Sequence, residues 1–386
     1  MKKVFRTKLC DLLGIEYPVI LAGMGALPGM VTTTEHFNVS GARLVAAVSN
    51  AGGLGVLGGA QLTPEQLRSE IREIKRLTKG PFGVDLMLPE AVGSQETISS
   101  MKANMMAEHK DLVAAVDRLR EEFDIPKVKA PANSPVWNVW QPEFVRSQAD
   151  VVFEEGVEVL ATGIGIPEWV VSRAHALGMK VIALVGNVRQ ARRAADRGVD
   201  IIVAQGYDAG GHTGVIGTLS LVPQVVDAVY PVPVVGAGGI GDGRGMAAVL
   251  MLGAIGAWVG TAFEATEEAN IASDSKQQLL EAGAEDTMIS RMYTGKTARW
   301  IKNPVAAAWQ ERQIPTLPMP LQTMLVADLL YGLETAKRFE LTPLPAGQGA
   351  GMIKQIKSAK QVLDEMIDEA IRAVRLKTPA ELIIEE

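Results

Sequence analysis

Short apolar runs rich in valine and isoleucine recur along the chain, each closing on glycine or a polar turn. They are PVILAG (18–23), RLVAAVSNAGG (43–53) followed by GVLGG, FGVDLML (82–88), VEVLATG (157–163), KVIALVG (180–186), DIIVAQG (200–206), VPVVGAGG (232–239) and AIGAWVG (254–260). Their apolar residues are continuous rather than alternating, which is the pattern of strands covered on both faces of a parallel sheet. Helix-like stretches lie between them. PEWVVSRAHALGM is entered at proline, NVRQARRAADRG is capped by Asn187, and GDGRGMAAVLMLGA follows the seventh run. From the fourth run onward, strand starts are about 20 to 32 positions apart, the length of a strand–helix unit. Eight such units predict the α/β class and a (β/α)8 TIM barrel. An open doubly wound sheet is the competing architecture, but the GxGxxG that would favour it after the first strand is missing.

The interval from Pro89 to Gly156 is longer than one unit requires. It contains a helix-like segment, SSMKANMMAEHKDLVAAVDRLREEF, and then PANSPVWNVWQPEF. This elaborated connection, about 90–150, is expected either to supply lid or pocket residues or to be an ordinary packed helix. Residues 1–264 then form the barrel. Residues 265–386 form a mainly helical region that caps it, through SDSKQQLLEAGA, QTMLVADLLYGLETAKRF and GMIKQIKSAKQVLDEMIDEAIRAV.

Composition narrows the function classes. Of 386 residues, 47% are hydrophobic and 21% charged, and the net charge is −6, so nothing favours a polyanionic nucleic-acid partner. Cys10 is the one cysteine, which excludes an internal disulfide, a thiolate zinc cluster and a CxxC redox pair. It is expected to be no more than a small side chain near the N-terminus. The N-terminus superficially resembles a signal peptide, yet Arg6, Lys8, Asp11 and Glu16 interrupt its apolar stretches. No uninterrupted apolar segment of ~18 residues offers a membrane span. A cytoplasmic location is the expectation.

The chemistry gathers at the predicted C-terminal rim. VPVVGAGGIGDGRGMAAVL joins a buried strand, a turn with Gly236, Gly238, Gly239, Gly241 and Gly243, and a helix whose N-terminus would present free N–H groups to phosphate. AWVGTAF follows, with Gly260 and Thr261 ending the eighth strand. Loops after strands seven and eight of a barrel commonly hold phosphate. Flavin mononucleotide fits this layout, its ring lying across the mouth past Ala22–Gly25, Asp85 and Gln205. Gly23 and Gly25 would permit flat approach, and Gln205 could hydrogen-bond the ring's polar edge.

PVILAGMG, AAVSNAGGLGVLGG, PFGVDLMLP, AQGYDAGGHTG, PVVGAGGIGDGRG and GTAF stand in the order found in the nitronate monooxygenase (2-nitropropane dioxygenase) family, which this sequence resembles. That family is similar to the flavin-dependent enoyl-thioester reductases and to certain NADH:quinone reductases. The resemblance extends to GQGAGMIKQI (347–356). It implies FMN in the barrel, with Gln205 and Gly210 against the flavin and Gly23 and Met24 along the ring. Gly238 and Gly239, with Gly260 and Thr261, would hold the phosphate. Asp85 would be a cofactor neighbour, and His212 the acid/base residue at the reactive edge. Family members commonly carry asparagine where Asp85 stands and glutamate where Asp208 stands. An ionised aspartate accepts a flavin N–H but cannot donate, and its charge opposes an anionic reduced flavin.

Imidazole titrates near neutral pH and moves protons in either direction. In nitronate oxidation with O2, His212 would deprotonate a neutral nitroalkane or stabilise its anion. In an NAD(P)H-dependent reductase acting on an enoyl thioester or quinone, it would support or protonate the developing enolate. A non-enzymatic flavin-binding protein is a third, remote reading. His109 and His175 are expected to be solvated or packed, and His36 stands in a long loop at the active end. No histidine–carboxylate spacing suggests a metal site. ISRMYTGKTARWIKNP concentrates Arg291, Lys296, Arg299 and Lys302. It is either a solvated surface or an anchor for an anionic substrate arm such as a nicotinamide dinucleotide or coenzyme A. An IMP-dehydrogenase-like mechanism would need a cysteine at the barrel mouth, and Cys10 precedes the first strand. The expected partners are a small-molecule or acyl-thioester substrate, no nucleic acid and no membrane, with a homodimer left open.

Overall fold

Strands that are apolar on both faces need cover on both, and here a closed ring of strands wrapped by helices provides it. The computed structural model describes residues 4–28, 30, 38–89, 98–131 and 140–376. Its strands are β1 (Val19–Leu21), β2 (Gly55–Gly58), β3 (Phe82–Leu86), β4 (Val159–Thr162), β5 (Lys180–Val185), β6 (Ile201–Gln205), β7 (Gly211–His212), β8 (Val234–Ala237) and β9 (Ala257–Val259). All but β7 pair in parallel, in the order β1-β9-β8-β6-β5-β4-β3-β2. The parallel bridge Ile20–Leu54 joins the two ends, with the Leu21 N–H donating to the Leu54 carbonyl at 2.9 Å. The (β/α)8 barrel expected from the sequence is therefore present and closed.

One of the eight apolar runs differs from the expectation. RLVAAVSN is not strand but the helix Ala42–Asn50, and the strand is the GVLG that follows. An unbroken apolar run does not separate a buried helix from a buried strand. Here Leu44, Val45 and Val48 bury one face, and the following β2 lies against that helix so closely that a Cβ on Gly55 would fall 2.1 Å from the Val45 carbonyl oxygen. Other helices follow the sequence signals. Asn187 caps Val188–Asp196 by accepting from the Gln190 N–H, and Pro167 precedes Glu168–Ala176.

The inside of the barrel is filled by Ile20, Val56, Val203, Val235 and Trp258, among others. The helix Lys8–Leu13 closes its lower end: Leu9 and Cys10 are fully buried and join this interior cluster. Leu9 stands so close to Gly256 that a Cβ there would lie 2.3 Å from its methyl. Cys10, expected only as a small side chain, is a free, buried thiol.

Among the described residues the long β3–β4 connection holds three helices, Ile98–Glu108 and Lys110–Glu122, interrupted at His109, and Pro142–Glu155 just before β4. The first two pack on the helix Leu321–Ala336, where Lys102 and Ala130 N–H converge on Asp328 at 2.9 and 3.1 Å. The C-terminal helix Ala359–Leu376 lies on the helix Gly243–Met251. The region after β9 also holds something the helical expectation did not include, an antiparallel hairpin of β10 (Thr287–Ser290) and β11 (Ala298–Ile301). No helix among the described residues is long and apolar enough to cross a membrane.

Truncating the plug should weaken the whole barrel. Leu9→Ala is expected to cost about 2–5 kcal/mol, read as a lowered thermal midpoint, and an unchanged midpoint would show that the N-terminal helix is not part of the core.

Candidate functional site

A cavity of about 900 Å3 opens at the C-terminal mouth of the barrel. Strand ends around the whole ring reach it, from Ala22 after β1 and Asp85 on β3, through Thr162 and Gln205, to Ala237 on β8 and Gly260 after β9. Its volume lies at the upper end of the roughly 300–1,000 Å3 typical of small-molecule sites. The expected ring residues Gly23 and Met24 line it, as do Asp85, Gln205, Gly210, Gly238, Gly239, Gly260, Thr261 and His212. The structure thus brings all ten expected site residues to one place.

Several glycines there have a steric reason to be glycine. A Cβ on Gly23 would sit 2.3 Å from Asp85 Cβ, and one on Gly210 would sit 2.7 Å from the backbone of Ala346 and Gly347. Gly238 and Gly239 adopt φ of +98° and +72°, the left-handed conformation that other residues resist. The turn they form exposes backbone N–H groups beside those of Gly260 and Thr261, and none of these four amides has an acceptor among the described residues. Such a set of free amides suits an anion.

The helix N-terminus expected to receive phosphate does not do so. Asp242 caps Gly243–Met251 by accepting from Arg244 and Gly245 N–H at 2.9 and 3.2 Å, and Glu369 accepts from Gly243 N–H at 3.0 Å. Two carboxylates already occupy the positive end of that helix. The amides left without an acceptor among the described residues are those of the Gly238–Gly239 turn and the Gly260–Thr261 segment. Asp208 is likewise committed, accepting from Thr218 N–H at 2.7 Å.

His212 is held from three sides. It lies on β7, whose two residues pair antiparallel with β11, His212 opposite Ala298 and Gly211 opposite Arg299. Its carbonyl accepts from Gln205 Nε2 at 2.6 Å, and its Nε2 lies 2.9 Å from Thr294 Oγ1. The Gln205 amide expected at the ring edge is therefore turned to the histidine backbone. Arg299 ties the hairpin down, donating to the Tyr207 carbonyl and to Thr287 Oγ1 at 3.0 Å each while its guanidinium stacks 4.7 Å above the Tyr207 ring. Thr294 was invisible to sequence reasoning, being a turn threonine 82 positions from the histidine it contacts.

The titratable groups of the cavity are biased toward neutrality. Burial, reinforced by the Lys296 ammonium, pushes His212 down to about 4. Burial raises Asp85 to about 7 and Glu264 to about 8. Glu264, on the short helix Thr261–Glu264, is only 3% exposed and lines the cavity. A neutral Asp85 can donate as well as accept, which lifts the restriction that an ionised aspartate would bring.

Of the other candidates, His175 makes a surface contact with Asp200 at 2.9 Å, and His109 marks the helix break. His36 lies outside the described residues. No group of three or more potential metal ligands occurs among the described residues. In the basic segment Arg299 is buried structure, whereas Lys296 is exposed and lines the cavity. Trp140, from the long connection, also lines it, while residues 132–139 lie outside the described set.

Comparison with known proteins agrees with this architecture. The sequence profile of the family described as nitronate monooxygenase matches residues 6–369. A Mycobacterium tuberculosis protein provisionally named a monooxygenase is 38% identical over 384 residues, spanning 96% of this chain and 97% of that one. A Staphylococcus aureus protein named a probable nitronate monooxygenase is 31% identical over 383 residues, spanning 96% and 99%. Among solved structures, nitroalkane oxidase from Streptomyces ansochromogenes matches with a TM-score of 0.78 at 27% identity, over 95% of this chain and 99% of that one. FabK from Thermotoga maritima matches at 0.72 and 29% identity, over 96% and 97%.

The buried carboxyls carry a signature in the protein without cofactor. Glu264 is raised from 4.5 to about 8, so the folded state keeps a proton that the unfolded chain releases. Its contribution to stability is complete below about 4.5 and is lost as pH rises through 8, and Asp85 acts with the same sign between 3.8 and about 7. His212 has the opposite sign, losing stability as pH falls from 6.5 toward 4. Glu264→Gln is therefore expected to raise the thermal midpoint at pH 9 and to leave it nearly unchanged at pH 5. An equal change at both would show a carboxylate that is charged and paired.

Proposed function

We propose that this chain, which belongs to the nitronate monooxygenase family, binds FMN across the barrel mouth and oxidises alkyl nitronates with His212 as its proton-handling residue. The observation that carries the reading is the placement of His212, held by three partners above a cavity whose far wall is a set of free backbone amides. Gly238, Gly239, Gly260 and Thr261 would hold the phosphate through those amides. Gly23 and Met24 would lie along the ring, Asp85 and the free Gln205 oxygen would meet its polar edge, and Gly210 would leave room beside it. FMN held there would supply the redox chemistry that joins nitronate oxidation to O2.

What the chain itself does follows from the state of His212. With Nε2–H donating to Thr294 Oγ1, and the threonine hydroxyl turned to the Lys296 carbonyl at 3.4 Å, Nδ1 is left as the basic nitrogen. A neutral imidazole of this kind takes the α-proton of a neutral nitroalkane, and for a nitronate already ionised it offers a hydrogen bond rather than a charge. The apolar walls keep water from the reacting carbon.

A second reading, an NAD(P)H-dependent flavin reductase acting on an enoyl thioester or quinone, draws support from the cavity's size. Leu27, Met30, Trp140, Ile166 and Met319 extend its apolar lining well beyond what a small nitronate would cover. Anaerobic addition of a small nitronate, NADH or NADPH separates the two. Bleaching by the nitronate alone is expected, and rapid bleaching by a reduced nicotinamide would favour the reductase. The purified protein should be yellow with one FMN per chain, and failure to take up added FMN would overturn the proposal. His212→Ala should retain FMN while turnover falls by roughly 10²–10⁴-fold.

A further inference from the structure

We propose that Lys296, carried by the β10–β11 turn to the rim of the cavity, supplies the positive charge that seats the anionic head of the substrate beside His212. This rests on the reading of the cavity as a nitronate site and adds the residue that distinguishes an anion from a neutral molecule there.

A nitronate carries a full negative charge shared over two oxygens. Moving it from water into a largely apolar cavity is costly unless a cation or several donors meet it. His212 supplies no charge, because burial holds it neutral above about pH 4. Asp85 and Glu264 add nothing positive, and the free amides of the Gly238–Gly239 turn and Gly260–Thr261 are assigned to the cofactor phosphate. Among the described residues that line the cavity, the basic side chains are Arg193 and Lys296, the Lys296 ammonium being lowered from its ordinary value by desolvation. Arg193 stands on the helix Val188–Asp196 and already has an interaction of its own. Lys296 has no carboxylate partner among the described residues and stands exposed at the rim.

The register of the hairpin places this lysine. Ala298, two residues on, pairs with His212, and Thr294, two residues back, meets His212 Nε2 at 2.9 Å. Thr294 Oγ1 also contacts the Lys296 backbone, its N–H and its carbonyl both at 3.4 Å. The ammonium is near enough for its field to reach the imidazole, and it is the charged group that does so. Arg299 fixes the base of the same strand through Tyr207 and Thr287. The two cations of TGKTAR thus divide the work, Arg299 holding the hairpin and Lys296 facing the substrate. The sequence offered both meanings for this segment without assigning either to a residue.

The test uses Lys296→Gln with Lys296→Arg as the charge-conserving control. In flavin-free protein, proton NMR of the imidazoles follows His212, one of four histidines. Its midpoint, held down chiefly by burial and further by Lys296, should rise above about 4 in Lys296→Gln while burial keeps it below 6.5, and should stay low in Lys296→Arg. In flavin-loaded protein, nitrate serves as a planar anionic probe, and its binding, read as a perturbation of the visible flavin spectrum, should weaken roughly tenfold or more in Lys296→Gln. With an alkyl nitronate, KM should rise by a similar factor with kcat nearly unchanged, while KM for the neutral nitroalkane stays the same. An unmoved His212 midpoint together with unchanged nitrate affinity would overturn the proposal. Neither measurement needs turnover, so an enzyme inactive on nitronates would defeat the functional reading while still deciding the role of Lys296.

Discussion

The two-residue ladder between β7 and β11 is the contact on which the site depends. It is short, and on its own it would fray, because two paired residues recover little of the entropy of ordering a loop. Arg299 makes it durable by bonding two points of the surrounding chain and stacking on Tyr207. The hairpin, the histidine strand and the β6–β7 loop therefore behave as one piece. The catalytic candidate comes from the barrel, but the groups that orient it come from a segment about 80 positions away.

That dependence explains which parts of the molecule were legible beforehand. The barrel strands were, because burial on both faces leaves a continuous apolar mark that short-range reading detects. The helix Ala42–Asn50 was not, since its polar positions are few and an unbroken apolar run reads the same for a buried helix as for a buried strand. The glycine turns and His212 stood out because unusual backbone conformations demand glycine, and glycines are easily seen. Thr294 left no mark, as a threonine in a turn is compatible with any neighbourhood. Lys296 was visible as a charge, but its place at the cavity is a matter of hairpin register. Asp242 is legible as an N-cap, for an aspartate directly before a helix accepts the N–H groups that phosphate would have needed.

The cavity's electrostatics arise from the same enclosure that excludes water. Burial favours the acid form of Glu264 and Asp85, raised to about 8 and about 7, and the neutral form of the His212 imidazole. The charge in the pocket therefore depends chiefly on its few remaining cations and backbone dipoles.

The plug formed by the helix Lys8–Leu13 bears on traffic as well as stability. With Leu9 and Cys10 seated against the packed interior, the barrel is a vessel with a floor. Among the described residues, access to the cavity is from the C-terminal mouth, because the opposite end is filled by packed side chains.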